Sequence, residues 1–138
     1  MYDTILIAAA LFDKGSSTRS MIEKAEDLVN PGGRVILVHV LDEIPKYAAA
    51  HVPRTHMSDH QRKVRDQLDQ LAAGIKGAKA EVVVRSGTAS VGILGTAREK
   101  KADLIMIASH KPGLSDYLIG STAARVVRHA ETSVLVLR

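Results

Sequence analysis

The sequence predicts an α/β protein: a single-domain, doubly wound, five-stranded parallel sheet with helices on both faces. Three observations point there. Five short runs rich in Val and Ile, at 4–10, 34–40, 80–86, 103–108 and 132–137, are mostly apolar nearly throughout. Strands buried on both faces read this way, whereas half-exposed strands alternate. Between consecutive runs lies a segment of helical periodicity, so the order is βαβαβαβαβ, with no internal repeat and no low-complexity stretch. Right-handed crossovers turn that order into an open sheet covered on both sides. A chain of 138 residues suits one such domain, spanning 1–138, with enough length to bury a core.

The elements follow in turn. After "TILIAAA", the first helix sets Met21, Ile22, Ala25, Leu28 and Val29 on one face, and "NPGG" at 30–33 breaks it. After "RVILVHV" comes the one long connection, 41–58, "LDEIPKYAAAHVPRTHMS". It exceeds the usual loop length, which suggests a lid, an interface element or a flap. Ser58 and Gln61 form a capping-box pattern, so the second helix should start after 58. It carries Val64, Leu68, Leu71, Ala72 and Ile75 inward, with Gly77 following. After "AEVVVRS", a third helix over 90–102 faces Val91, Leu94 and Ala97 inward. Its Gly92 and Gly95 cost helix propensity, which points to a close approach to the sheet. After "DLIMIA", the fourth helix, 121–130, turns Ala123, Val126, Val127 and Ala130 inward, and "TSVLVL" ends the pattern.

Composition narrows the function classes. Apolar residues make up 46% and charged residues 25%, the balance of an ordinary globular protein. No run reaches the apolar length of a membrane span, and the opening residues lack a basic n-region and cleavage site. A cytoplasmic location and no membrane contact are expected. The absence of cysteine excludes disulfides, thiolate metal sites and cysteine nucleophiles. Without tryptophan, and with aromatics at 3%, there is no stacking platform for single-stranded nucleic acid. The net charge of +4 is mild and its basic residues are interspersed with acids, so no specific nucleic acid is expected. His51, His56 and His60 invite a metal reading. A helix that starts after Ser58 leaves His56 outside it, however, so His56 and His60 would not share a helical face, and no metal site is expected.

In a doubly wound sheet, ligands bind beyond the carboxyl ends of the strands, where the strand order reverses. The fourth strand ends in "SHKPGLSDYLIGST", 109–122, which runs into the last helix. A helix N-terminus presents unpaired N–H groups and a positive dipole end, which favour an anion. Gly120 lets a phosphate approach the backbone, and Ser121 and Thr122 add hydroxyl donors. Ser121 also reads as an ordinary helix cap, the commoner role of such a serine. The stretch is not a Walker A loop, because Gly113 and Gly120 are too far apart and no lysine precedes Ser121. The first strand is followed by "IAAALFDKGSS" rather than G-x-G-x-x-G, so a dinucleotide is not expected.

"DLIMIASHKPGLSDYLIGSTAARVVRHAETSVLVLR" closely resembles the C-terminal third of the universal stress protein family, and "TILIAAA", "RVILVHVLDE" and the "SG…GILGTA" segment match its other landmarks in order. The resemblance covers the whole chain. It implies a flavodoxin-like, adenine nucleotide alpha hydrolase-like sheet and a homodimer pairing its final strands, here 133–138. It also implies, for one branch, ATP binding through a G-x2-G-x9-G-[ST] loop. Gly120 and Ser121 fit the end of that motif, with Thr122 following. Its first glycine falls on Ala108, and its second on Lys111 or near Pro112–Gly113. Ser109 and His110 match the "SH" that members often carry between those glycines. The adenine of relatives lies against positions corresponding to Ala8–Ala10, Val40 and Ile107. The acid usual at the end of strand one falls on Ala10, with Asp13 a possible substitute three residues on. The non-nucleotide branch also loses motif glycines. "ASH-[KR]-P…YL[IL]GS" resembles an enterobacterial subgroup associated with nucleotide binding despite the same altered loop, and Lys111 would add a cation beside the phosphates.

The expected function is a dimeric stress-response regulatory module that binds ATP, AMP or ADP with little or no turnover, acting on an unknown protein partner. Two alternatives stand beside it. One is a dimeric stress protein without nucleotide, acting through protein contacts. The other is a slow ATPase or autophosphorylating enzyme, suggested only by His110 and by Asp116 near a nucleotide-borne Mg2+.

Overall fold

The computed structural model describes residues 1–42, 54–109 and 119–138, with 54–58 described through their backbone alone. The elements run β1 Tyr2–Ala8, α1 Ser16–Leu28, β2 Val29–Leu41, α2 Arg54–Ala73, β3 Lys79–Ser86, α3 Ala89–Lys100, β4 Leu104–Ala108, α4 Ser121–His129 and β5 Ser133–Leu137. All five strands are parallel, in the order β3-β2-β1-β4-β5. The chain builds outward from β1 to β3, then crosses back to lay β4 on the other side of β1. The carboxyl ends of β1 and β4 therefore flank the point where the order reverses.

The strand sequences are apolar nearly throughout because neighbouring residues serve opposite layers. Ile5, Ile7, Val35, Leu37, Leu104 and Met106 pack with Met21, Ala25, Val64 and Leu68 beneath α1 and α2. Leu6, Ile36, Val38, Ile105 and Ile107 pack with Ile93, Ala97, Ala123 and Val126 beneath α3 and α4. This is the doubly wound arrangement expected from the sequence.

Four local expectations are corrected. The extended chain of β2 begins at Val29, not at Arg34, and Val29 is its first residue and not a helical one. The register against β1 jumps from Tyr2↔Val29 to Thr4↔Arg34, so "NPGG" is an irregularity within the strand. Helix α2 begins at Arg54, which places Ser58 inside it and removes the capping box; His56 and His60 then both lie on the helix, one turn apart. On α3 the buried residues are Ser90, Ile93, Thr96 and Ala97, while Val91 is 65% exposed. On α4 Val127 is 47% exposed, leaving Ala123 and Val126 to pack inward. His51 and most of the 41–58 connection lie outside the described residues.

Two glycines are demanded by close approach. A Cβ on Gly92 would stand 2.6 Å from Val40 Cγ2, which bears out the expected approach of α3 to the sheet, whereas one on Gly95 would meet only the Arg85 guanidinium at 3.2 Å. A Cβ on Gly33 would stand 2.6 Å from Val29 Cγ2 and 2.7 Å from the Asp3 carbonyl oxygen. Backbone cannot yield there as a flexible side chain would. Gly33→Ala should therefore cost about 1–3 kcal/mol, the usual range for overpacking, read as a lowered urea midpoint.

Among the described residues, no helix is long and apolar enough to cross a membrane. The same residues contain no cluster of His, Asp and Glu that would hold a metal ion.

Candidate functional site

A cleft of about 360 Å³ opens at the carboxyl ends of β1, β2 and β4. Strand β1 and its continuation supply Ala8, Ala9 and Ala10, and β2 supplies Val38, His39 and Val40. Ile107, Ala108 and Ser109 come from the end of β4, and Gly120, Ser121, Thr122 and Ala123 from the start of α4. Phe12, Ala89 and Ile93 complete the described walls. Small side chains make the space: six of these residues are alanines where larger residues would fill it.

Nine predicted site residues are thus brought together: Ala8, Ala10, Val40, Ile107, Ala108, Ser109, Gly120, Ser121 and Thr122. His110, Lys111 and Gly113, together with Pro112 and Asp116, lie outside the described residues. Ala9, within the Ala8–Ala10 stretch expected against adenine, lines it too, while sequence reasoning missed Phe12, Val38, His39, Ala89, Ile93 and Ala123. Ala89 and Ile93 had a readable signal, since the loop after β3 also opens at the carboxyl edge of the sheet.

The floor is held rigidly. The Ala9 N–H donates to the Val38 carbonyl at 2.8 Å, extending the β1–β2 pairing by one residue. His39 Nδ1 lies 2.9 Å from the Ala9 carbonyl oxygen. A carbonyl only accepts, so Nδ1 donates the proton in this bond. The Ala10 N–H donates to Thr18 Oγ1 at 2.9 Å, and the same hydroxyl donates to the Ala10 carbonyl at 3.0 Å. Both peptide groups of Ala10 are therefore committed. Along β2, alternation sends the peptide groups of Val38 and Val40 toward β1; those of Val40 lie past its end and form no bond across to it. They leave one donor and one acceptor at the apolar mouth.

At the other end, the Ser109 N–H donates to the Leu137 carbonyl at 2.8 Å, and the Ser109 carbonyl accepts a short bond from the Gly120 N–H. Gly120 is the N-cap residue of α4, in an ordinary extended conformation with φ −60° and ψ 156°, and no side chain caps the helix. Ser121 is therefore the first helical residue, and the capping role expected for it is not the one it plays. The Gly120 amide is used, so the first-turn amides of Ser121, Thr122 and Ala123 are those without an intrahelical partner.

Asp13 does not line the cleft and does not replace the acid missing at Ala10. Its Oδ2 accepts the Ser17 N–H at 3.0 Å and the Ser17 hydroxyl, closing the start of α1. Burial pushes the Asp13 carboxyl up, but the Ser17 hydroxyl and N–H, with longer-range help from the amides of Asp13 and Gly15, outweigh it and hold the group below its ordinary value of 3.8. Oδ1 is buried and accepts no bond of normal geometry. A folded-state value that is depressed means this contribution is fully present above pH 3.8 and fades as pH falls through the folded value. Asp13→Asn should flatten that acid limb, measured as urea midpoints across a pH series.

The family model described as the universal stress protein family matches residues 1–138. The chain belongs to the universal stress protein family. Universal stress protein G of Escherichia coli O157:H7 is 31% identical over 145 residues, covering 100% of both chains. Among solved structures, a hypothetical protein used as a test case for assigning biochemical function from structure superposes with a TM-score of 0.81. It is 21% identical and covers 99% of this chain and 96% of its own. The universal stress protein of Archaeoglobus fulgidus in complex with dAMP superposes at 0.59 with 16% identity, covering 100% and 98%. At these identities the solved structures show the fold, and the chain is a family member by its sequence.

Proposed function

We propose that this universal stress protein binds an adenine nucleotide, ATP, ADP or AMP, and acts as a cytoplasmic homodimeric regulatory module with little or no turnover. The observation that carries the reading is the apolar cleft at the strand-order reversal, open to the uncapped first turn of α4. Adenine fits between Ala8–Ala10, Val40 and Ile107, where the free peptide groups of Val40 offer a donor and an acceptor to the purine edge. The phosphates fit at the amides and hydroxyls of Ser121 and Thr122, with any Mg2+ carried by the nucleotide. A fold relative in complex with dAMP supports this ligand class. A micromolar site needs about 8 kcal/mol, within reach of a buried base and several charge-assisted bonds.

Dimerisation through 133–138 is part of the proposal. Strand β5 stands at the edge of the sheet, where its outer backbone groups can pair with a second copy. One observation favours a second reading, a dimer acting on its protein partner without nucleotide: the Ala10 peptide is wholly engaged by Thr18, so nothing there replaces the missing acid.

Calorimetric titration of the purified protein with ATP, ADP and AMP tests the first reading. Saturable heat at micromolar to millimolar nucleotide is expected, and none at physiological ATP would leave the second. Phosphate release in the presence of magnesium should stay at background. Release that His110→Ala abolishes would instead make the protein an enzyme.

A further inference from the structure

Phe12 is the chain's single phenylalanine, and almost half of it, 45%, is exposed. A lone exposed apolar residue is ordinary on a protein surface, but this one stands in the wall of the cleft. Its neighbour Leu11 packs against the apolar layer beneath α1 and α2, whereas Phe12 joins neither that layer nor the one beneath α3 and α4. The interior has no place for the Phe12 ring, and the cleft is the apolar surface it borders.

Its backbone neighbours are fixed. On one side, both peptide groups of Ala10 are bonded to Thr18 Oγ1, at 2.9 and 3.0 Å. On the other, the Asp13 carboxylate accepts the Ser17 N–H at 3.0 Å. Phe12 is carried between two tethered residues, so little further ordering is needed before a flat ligand can use it.

The rest of the cleft leaves a base few other holds. Among its described lining residues none is Asp, Glu, Lys or Arg, and six are alanines. The Val40 peptide groups can address one edge of a purine, but aliphatic walls offer its faces dispersion alone. A phenyl ring adds stacking, which is open to any base because every base presents a π-face. Of the three tyrosines, Tyr2 stands at the opposite end of β1, and Tyr47 and Tyr117 lie outside the described residues.

We infer that Phe12 is the residue that makes this cleft select an aromatic base, by stacking on the purine at the β1 side of the mouth. The inference deepens the nucleotide reading and rests on it. It assigns recognition of the base to a side chain on the loop after β1, separate from the phosphate seat at the start of α4.

The test is calorimetric titration of the wild type and of Phe12 variants with adenosine, AMP and ATP, alongside urea midpoints. Phe12→Ala should weaken all three ligands by the same factor, about tenfold, because the base is common to them and stacking acts on the base. Phe12→Leu, which restores apolar cover without a π-face, should recover only part of the loss. Both variants should keep the urea midpoint near its wild-type value, since the side chain belongs to neither core layer. The chain contains no tryptophan, so Phe12→Trp places a single indole at the mouth. Its emission should be quenched saturably by adenosine and AMP, and left unchanged by ribose 5-phosphate at equal concentration.

Full affinity in Phe12→Ala or in Phe12→Leu would overturn the inference. So would a loss confined to ATP, which would put Phe12 at the phosphate end, or an indole that adenosine leaves unquenched. Wild-type protein that binds none of the three ligands would sink the nucleotide reading and the inference together. Wild-type binding that survives Phe12→Ala would sink the stacking alone.

Discussion

Gly120→Val is expected to abolish measurable adenine-nucleotide binding while leaving the protein folded. Gly120 precedes the three first-turn amides that have no helical acceptor, and it lines the cleft they face. Its φ of −60° and ψ of 156° are open to any L residue, so valine introduces no backbone strain. The cost to stability is that of a poorer N-cap residue, up to about 1 kcal/mol. The cost to binding is larger, because the isopropyl group stands where phosphate oxygens must come within hydrogen-bond distance of the amides. Losing two charge-assisted bonds at roughly 1.5–3 kcal/mol each lowers affinity at least about a hundredfold. Calorimetry with ATP and a parallel urea titration separate the two effects. Retained affinity in a folded variant would show that the phosphates do not sit at the start of α4.

The sheet was legible because its pattern is redundant. Each strand must satisfy two apolar layers, so Leu104–Met106 reads as a strand from any starting point. The helices gave less, since three or four inward positions leave their rotational phase open. Val91 and Val127 read as inward because valine is apolar, yet buried Ser90 and Thr96 show the true face of α3 to carry hydroxyls. The Ser58…Gln61 pattern misplaced the start of α2 because a cap is a local preference that four preceding helical residues override. At the site, the "GST" element was readable since its chemistry is local. His39 was not, because it joins the cleft through strand order. The departure at Ala10 is visible in the sequence, but the engagement of its N–H and carbonyl by the Thr18 hydroxyl, eight residues on, exists only in three dimensions.

That hydroxyl carries the second large effect. Thr18→Val keeps the volume and shape of a side chain that is 0% exposed, so no cavity forms. What disappears is the single group that serves both the N–H and the carbonyl of Ala10. Each peptide group left without a partner costs roughly 1–3 kcal/mol, which puts the expected loss near about 3 kcal/mol when partial access to water is allowed. Thr18→Ser, which retains the hydroxyl, should recover most of it. The loss also has a local reading, because Ala8–Ala10 form the floor of the cleft and Thr18 ties that floor to α1. Amide exchange at Ala10 should accelerate in the valine variant beyond what global destabilisation produces, and any nucleotide affinity should fall with it. Were Thr18→Val as stable as the wild type, with Ala10 exchange unchanged, the turn after β1 would be held by packing against α1 and the paired hydrogen bonds would be incidental to it.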